Sequence, residues 1–388
     1  MLREKVIANL ENCILPFWKS MIDREFGGFY GYMDFDLKLD KKAVKGCILN
    51  SRILWFFSNV YLETGDTSVL PYARHAYEFL KTYCLDRTNG GIYWSMTYDG
   101  KVEDATKHTY NQAFAIYALA SYYDASGVEE ALGYAMELFH TIEDKCRLGD
   151  GYGESYTINF IPNTNDKLSE NNVIADKTMN TLLHVCEAYT ELYRVCHDPE
   201  VEKRLRWATA EFYNTVYNPE LHRLEVFFDA DMNSIIDLHS YGHDIEATWL
   251  IDRALTVLND KELSEKLAPM IMDLTEKIYE VAYENHSVMA EAENGVVLTT
   301  RIWWVQCEAI IGFWNAFQKS GNVWYQKAAE DIWQFVEEHL IDPRPNSEWY
   351  YDVDADGKPS SRLPILEPWK CPYHNGRMCL EIMHRTKS

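Results

Sequence analysis

Apolar and polar positions alternate along the chain in two kinds of helical run. The first kind is apolar or aromatic almost throughout. It begins near Ile48 (ILNSRILWFFSNVYLETG), Tyr110 (YNQAFAIYALASYYDASG), Lys177 (KTMNTLLHVCEAYTELYR), His243 (HDIEATWLIDRALTVL), Trp303 (WWVQCEAIIGFWNAFQKSG) and His374 (HNGRMCLEIMHR). Successive starts lie 62, 67, 66, 60 and 71 residues apart. Each of the first five is followed by a second run in which charges alternate with apolar residues, as in SVLPYARHAYEFLKTYC and VWYQKAAEDIWQFVEEHL. Several of the turns between paired runs carry glycine (ETGDTS, ASGVEE, KSGNVW), which suits the left-handed end of a helix. A helix that is apolar all round belongs inside, and one with a single apolar face belongs outside.

Repeats of this length bury one face only when a neighbour completes the core. Six first helices, five partners and an N-terminal helix from residue 2 to about 20 make twelve. They predict an all-α fold, an (α/α)6 barrel of six inner and six outer helices, in one catalytic domain over residues 1–388. An open solenoid is the rival, but it requires polar capping repeats, and the last helix is apolar and rich in Cys and Met. Short stretches between the helix pairs (GGFYGYMDFD, GGIYWSMTYDGK, HRLEVFFDADMN, EWYYDVDADGK) read as small β-hairpins. The inner helices then run parallel, with the hairpins over their N-termini and six positive dipole ends around one cavity.

Polar residues recur in the first two turns of the inner helices, where core was expected. They are Arg52, Tyr110 with Asn111, Asn180 with His184, His243 with Glu246, Glu308, and His374 with Arg377, with Trp249, Trp303, Trp304 and Trp369 beside them. Arg, Glu and His are seldom buried without partners, so their recurrence at one level of a ring indicates a lined pocket. The plainer alternative is a structural ion network in which Glu246 and Glu308 pair with Arg52 or Arg377. His243 and Glu246 share a helix face three residues apart, a spacing that suits a histidine oriented by a carboxylate. The remaining nine histidines (75, 108, 140, 197, 222, 239, 286, 339, 384) are expected to face solvent or cap helices.

Composition narrows the chemistry. In 388 residues there are 37 basic and 60 acidic side chains, a net charge of -23, which disfavours nucleic acid and anionic membrane as partners. Aromatic residues reach 14%, with 12 Trp, which suits either core bulk or stacking on sugar rings. The nine cysteines form an odd, scattered set without a CxxC pair, so reduced thiols are expected. The first ten residues lack an apolar leader, and the reading is a soluble, cytoplasmic protein. HExxH, P-loop, GxGxxG and nucleophile-elbow motifs are absent, so neither metal nor cofactor is expected.

Three segments, GHDIEATWLIDRA (242–254), RIWWVQCEA (301–309) and PWKCPYHNGRMCLE (368–381), resemble the signatures of the cellobiose 2-epimerases within the N-acylglucosamine 2-epimerase superfamily. NSRILWFFS (50–58) and ADKTMN (175–180) followed by His184 are similar too, with Asn50 standing where a relative has His, a position read as preceding the helix. The resemblance implies cofactor-free inversion at C2 of the reducing-end glucose in β-1,4-linked disaccharides. It implies His243 and His374 as the acid/base pair, assisted catalytically by His184, Glu246 and Arg52. Tyr110, Asn180, Trp249, Trp304, Glu308, Trp369 and Arg377 are then expected to bind the substrate, with Trp304 and Trp369 stacking on sugar. Rival readings are an aldose–ketose isomerase, an inverting glycosidase using Glu246 and Glu308, and a non-catalytic scaffold. The partner expected is a small disaccharide; the oligomeric state is open, with a monomer expected.

Overall fold

The computed structural model describes residues 2–168, 171, 173–359 and 362–387. In chain order its helices are α1 (Leu2–Asn9), α2 (Leu15–Ser20), α3 (Cys47–Thr64), α4 (Leu70–Phe79), α5 (Thr109–Ser126), α6 (Glu129–Lys145), α7 (Met179–Cys196), α8 (Pro199–Glu211), α9 (Tyr241–Leu258), α10 (Lys261–Val281), α11 (Trp303–Ser320), α12 (Val323–Phe335) and α13 (His374–Arg385). A π-turn over Leu10–Ile14 joins α1 to α2, so the two act as one outer helix. Packing runs α3–α5–α7–α9–α11–α13 and returns from α13 to α3, which closes the inner ring. Outer helices α4, α6, α8, α10 and α12 each pack on the inner helix that precedes them, and α1 packs on α13. The ring is therefore the (α/α)6 barrel expected from the repeat, and the solenoid reading is discarded.

The helix ends follow from local chemistry. Gly65, Gly127 and Gly321 end α3, α5 and α11 at φ of 75°, 69° and 70°, where an L side chain is disfavoured. His197 and Asn259 adopt the same left-handed cap after α7 and α9.

The hairpin expectation needs correction. GGIYWSMTYDGK does form one, with Ser95–Met96 against Val102–Asp104. In HRLEVFFDADMN and EWYYDVDADGK the named strands pair elsewhere. The two residues before an inner helix pair with a strand in the following inter-repeat loop: Lys45–Gly46 with Ser95–Met96, Lys107–His108 with Ser155–Tyr156, Lys177–Thr178 with Phe227–Phe228, and Arg301–Ile302 with Asp352–Val353. Leu238–Ser240 pairs likewise with Glu291–Glu293. Strands this short gain little alone and are held by the neighbouring repeat.

Two polar devices recur around the ring. Asn50, Gln112, Asp244 and Gln306 stand fourth in α3, α5, α9 and α11, where they accept from the backbone N–H groups of Phe29, Ile92, Leu224 and Val288. Asn50 thus lies inside the helix rather than before it, and its side chain serves a loop. A buried basic side chain stands two residues before the helix in five repeats: Lys45, Lys107, Lys177, His239 and Arg301. Lys45 pairs with Asp23 at 2.6 Å and Lys107 with Asp86 at 3.0 Å, since a buried ammonium without a partner would cost several kcal/mol. His239 takes this place before α9 and bonds Asp244 at 2.9 Å, so it is buried rather than solvent-facing. His108 is buried as well, its ring 4.7 Å from that of Trp94. The other seven of the nine are exposed or half-buried.

All nine cysteines are unpaired. Among the described residues no helix is long and apolar enough to cross a membrane.

Candidate active site

A cavity of about 240 Å³ opens at the N-terminal end of the inner helices. Arg52, Tyr110, Asn180, His184, His243, Glu246, Trp304, Trp369 and His374 line it, nine of the twelve residues anticipated as site residues. Trp303, Tyr351, Lys167 and Leu168 complete the wall. The last three arrive from loops whose position relative to the ring no local pattern discloses. Asn111 turns away and donates to the Tyr93 carbonyl.

The other three expected contacts, Trp249, Glu308 and Arg377, lie beneath the wall and are fully buried. Arg377 is the centre of this layer. Its guanidinium donates to Glu187, Glu246 and Glu308, and the last bond is 2.7 Å long. Trp249 donates its indole N–H to Glu308 Oε2 at 3.0 Å, and the Arg377 guanidinium lies 4.7 Å from the Trp249 ring. Part of the ion-network reading is therefore right, with Arg377 as the cation. Arg52 belongs elsewhere: it donates to Tyr110 Oη at 2.9 Å and lies over the Phe114 ring at 4.1 Å.

Each cavity histidine has its Nδ1 engaged. His184 Nδ1 lies 2.8 Å from Glu187 Oε2, His374 Nδ1 2.7 Å from Glu308 Oε1, and His243 Nδ1 2.7 Å from Ser240 Oγ. The expected His243–Glu246 pairing does not form, because Arg377 takes one Glu246 oxygen and Ser240 takes the imidazole. The same His-x-x-Glu spacing occurs on one other inner helix, in His184-Val-Cys-Glu187, and there the pair is made. Glu187 and Ser240 were legible only through that spacing and through proximity to a helix start. Trp304 lies between the other two histidines, its ring 4.8 Å from His243 and 5.5 Å from His374. Gly242 permits this approach, since a Cβ there would stand 2.4 Å from the Trp304 ring.

Electrostatics separate the groups. Burial pushes the His243 imidazole down to about 3, aided by nearby His184. His374 is also held well below its ordinary value, by burial and then by the Arg377 and Arg52 charges. Both rings are neutral near pH 7, the form that accepts a proton. Burial and the neighbouring Glu308 raise the Glu246 carboxyl to about 7 against the pull of Arg377. Glu246 Oε2, Asn180 Oδ1, Arg52 Nε and Trp303 Nε1 are buried without a hydrogen-bond partner. Unmet polar atoms around one cavity are the mark of a site awaiting polar ligand atoms.

The geometry tests two chemistries. Ligating atoms of Glu246, Glu308 and His374 lie within 4.8 Å of one another, as a metal would require. Arg377 is bonded to both carboxylates and already supplies their counter-charge. An inverting glycosidase needs carboxyl groups roughly 6.5–9.5 Å apart with a water between them. Here the oxygens are closer, joined through Arg377, and only Glu246 reaches the wall. Paired imidazoles at an aromatic cavity with unpartnered polar atoms suit proton transfer on a sugar better.

The family model for N-acylglucosamine 2-epimerase matches residues 28–375. The chain belongs to that family. Among N-acylglucosamine 2-epimerase relatives it is 50% identical to the cellobiose 2-epimerase of Eubacterium cellulosolvens, over 99% of this chain and 98% of that one. It superposes on the crystal structure of a sugar epimerase from a ruminal bacterium with a TM-score of 0.99, at 46% identity over the whole of both chains. The cellobiose 2-epimerase of Bacillus thermoamylovorans gives 0.95 at 44% identity, with 99% of each chain covered.

Proposed function

We propose that this protein is a carbohydrate epimerase that inverts C2 of the reducing-end glucose in β-1,4-linked disaccharides, converting cellobiose to glucosyl-mannose and lactose to epilactose. The observation that carries the reading is the pair His243 and His374. They are neutral imidazoles from two helices, set against one tryptophan at one cavity. Cellobiose 2-epimerases as relatives at this level of identity support the substrate class.

The reducing-end ring opens with proton transfer by a histidine. One imidazole then removes the C2 proton, and the electron pair moves into a cis-enediolate. Its negative charge is eased by Arg52, by His184 and by the positive ends of the inner helices. Rotation about C2–C3 presents the opposite face, and the second imidazole returns a proton to C2. Each acid/base step of this kind contributes roughly 10²–10⁴ in rate. Trp304 and Trp369 stack on sugar, while Asn180, Tyr110 and Glu246 meet hydroxyl groups. Trp249, Glu308 and Arg377 act from beneath by holding these groups. The chain works as one catalytic domain over residues 1–388, as a cytoplasmic monomer and without a metal or cofactor.

The test is turnover of cellobiose and lactose in D2O with products separated by chromatography. Expected are glucosyl-mannose and epilactose carrying deuterium at C2. Unlabelled epimers would overturn the two-base mechanism; ketose products would indicate an isomerase, and free glucose a hydrolase.

A further inference from the structure

Glu187 does not reach the cavity, yet like Glu308 it makes three side-chain bonds beneath it. Its Oε2 faces the His184 Nδ1 at 2.8 Å and accepts from Tyr373 Oη at 2.6 Å, while Oε1 accepts from Arg377. Burial pushes this carboxyl up, but the Arg377 charge and the His184 hydrogen bond bring it down to about 2. Near neutral pH it can therefore only accept, and Arg377 opposite it can only donate. The direction of every bond in the group is set. His243 differs, because the Ser240 hydroxyl at its Nδ1 can either donate or accept.

We propose that Glu187 is a positioning residue that keeps the His184 proton on Nδ1, so that Nε2 is the nitrogen presented to the substrate. It extends the epimerase reading above: the Nε2 lone pair takes the C1 hydroxyl proton as the C1–O5 bond breaks and O5 gains a proton from solvent. The resulting imidazolium, held by the Glu187 carboxylate, donates to that oxygen in the enediolate. The role is distinct from packing, because it depends on which atom of Glu187 accepts. In Glu187→Gln the amide has one acceptor and one donor end. Arg377 claims the oxygen, so the NH2 is turned toward His184 and donates to Nδ1, which drives the ring proton to Nε2. Shape is conserved while the tautomer is reversed. The corresponding Asp→Asn change in a Ser-His-Asp triad lowers kcat about 10⁴-fold through the same error.

The experiment is 15N NMR of histidine-labelled full-length protein, with the His184 signals identified by their loss in His184→Gln. Wild type should show His184 Nδ1 as the protonated, pyrrole-type nitrogen. Glu187→Gln should exchange the two signal types and lower kcat on cellobiose roughly 10²–10⁴-fold with KM little changed. An unprotonated His184 Nδ1 in wild type would overturn the proposal, even if the variant failed to fold. So would a variant whose tautomer and kcat match wild type. The tautomer is read without substrate, so a wild-type chain that leaves cellobiose unchanged would count against the epimerase reading alone.

Discussion

The two ends of the barrel make an instructive pair. At the C-terminal end of the inner helices lies a basin of about 480 Å³, twice the volume of the cavity holding the histidines. Its rim is densely charged, with Glu63, Asp124, Arg194, Asp252, Arg253, Glu381, His384 and Arg385. Yet each of these has a partner. Arg194 meets Asp124 at 2.7 Å, Lys319 meets Asp252 at 2.7 Å, Arg385 meets Glu381 at 3.0 Å, His384 meets Glu63 at 3.3 Å, and Arg253 meets both Glu191 and Glu381. Cations at this end also offset six negative helix termini. The smaller cavity instead leaves Arg52 Nε, Asn180 Oδ1 and Glu246 Oε2 without partners. Among the described residues of the basin lining, only Glu63 Oε1, which Lys387 meets at 2.8 Å as an ion pair, and Arg377 Nε share that condition. The concentration of unmet hydrogen-bonding capacity, rather than volume or charge, therefore distinguishes the site. Arg377 lines the basin while its guanidinium clamps the carboxylates under the site, so it is the link between the two ends.

The comparison can be broken most directly at the histidines. His243→Ala and His374→Ala should each lower turnover roughly 10²–10⁴-fold while leaving the urea midpoint nearly unchanged. A comparable loss from any basin substitution that keeps the fold would erase the distinction. Next in size is Arg377→Met, which strands three buried carboxylates and should destabilise the fold by about 3–5 kcal/mol, read from denaturant unfolding.

The pH dependence sharpens the picture further. His243 is held down to about 3, so its neutral form belongs to the fold. That contribution is present above the ordinary value of about 6.5 and is lost as pH falls from there toward 3. Glu246 is held up to about 7, so its protonated form belongs to the fold. That contribution is present below about 4.3 and is lost as pH rises through 7. Unfolding midpoints should therefore fall most clearly on acidification from about pH 4.3 toward 3, where the histidine contribution is unopposed. The opposing loss as pH rises from about 4.3 to 7 should vanish in Glu246→Gln. The same variant should lose a limb near 7 in the kcat/KM profile, whereas no limb at the ordinary histidine value should come from His243 or His374. Smallest is Lys319→Ala at the basin rim. That half-exposed pair should be worth less than about 1 kcal/mol, with turnover on cellobiose unchanged.

Much of this was legible residue by residue. The 60–71-residue repeat located every inner helix to within two residues, and Gly65, Gly127 and Gly321 announced three of the caps. Seven of the nine cavity residues were named from polar intrusions into apolar helices, and Trp304 and Trp369 as the aromatics beside them. The series Asn50, Gln112, Asp244 and Gln306 was present in the repeat and is visible as a device only once its loop partners are known. Lys167, Leu168 and Tyr351 carry no signal of their own, because loops approach the cavity by tertiary packing. The choice between the two His-x-x-Glu pairs of the inner helices also escaped local reasoning. Spacing places both carboxylates on the faces of their histidines, but Arg377 lies 131 residues beyond Glu246 and removes it from the pairing.

By itself, then, the sequence determined the ring, the sorting of inner from outer helices and the end at which chemistry gathers. Those follow from burial, period and capping, which act within a helix and its neighbour. Only the tertiary structure decided the partners: Ser240 for His243, Glu187 for His184, Glu308 for His374, and Arg377 beneath them all. In a buried polar cluster each donor and acceptor is allotted by competition among groups from every side of the ring, and that competition exists only after the ring has closed.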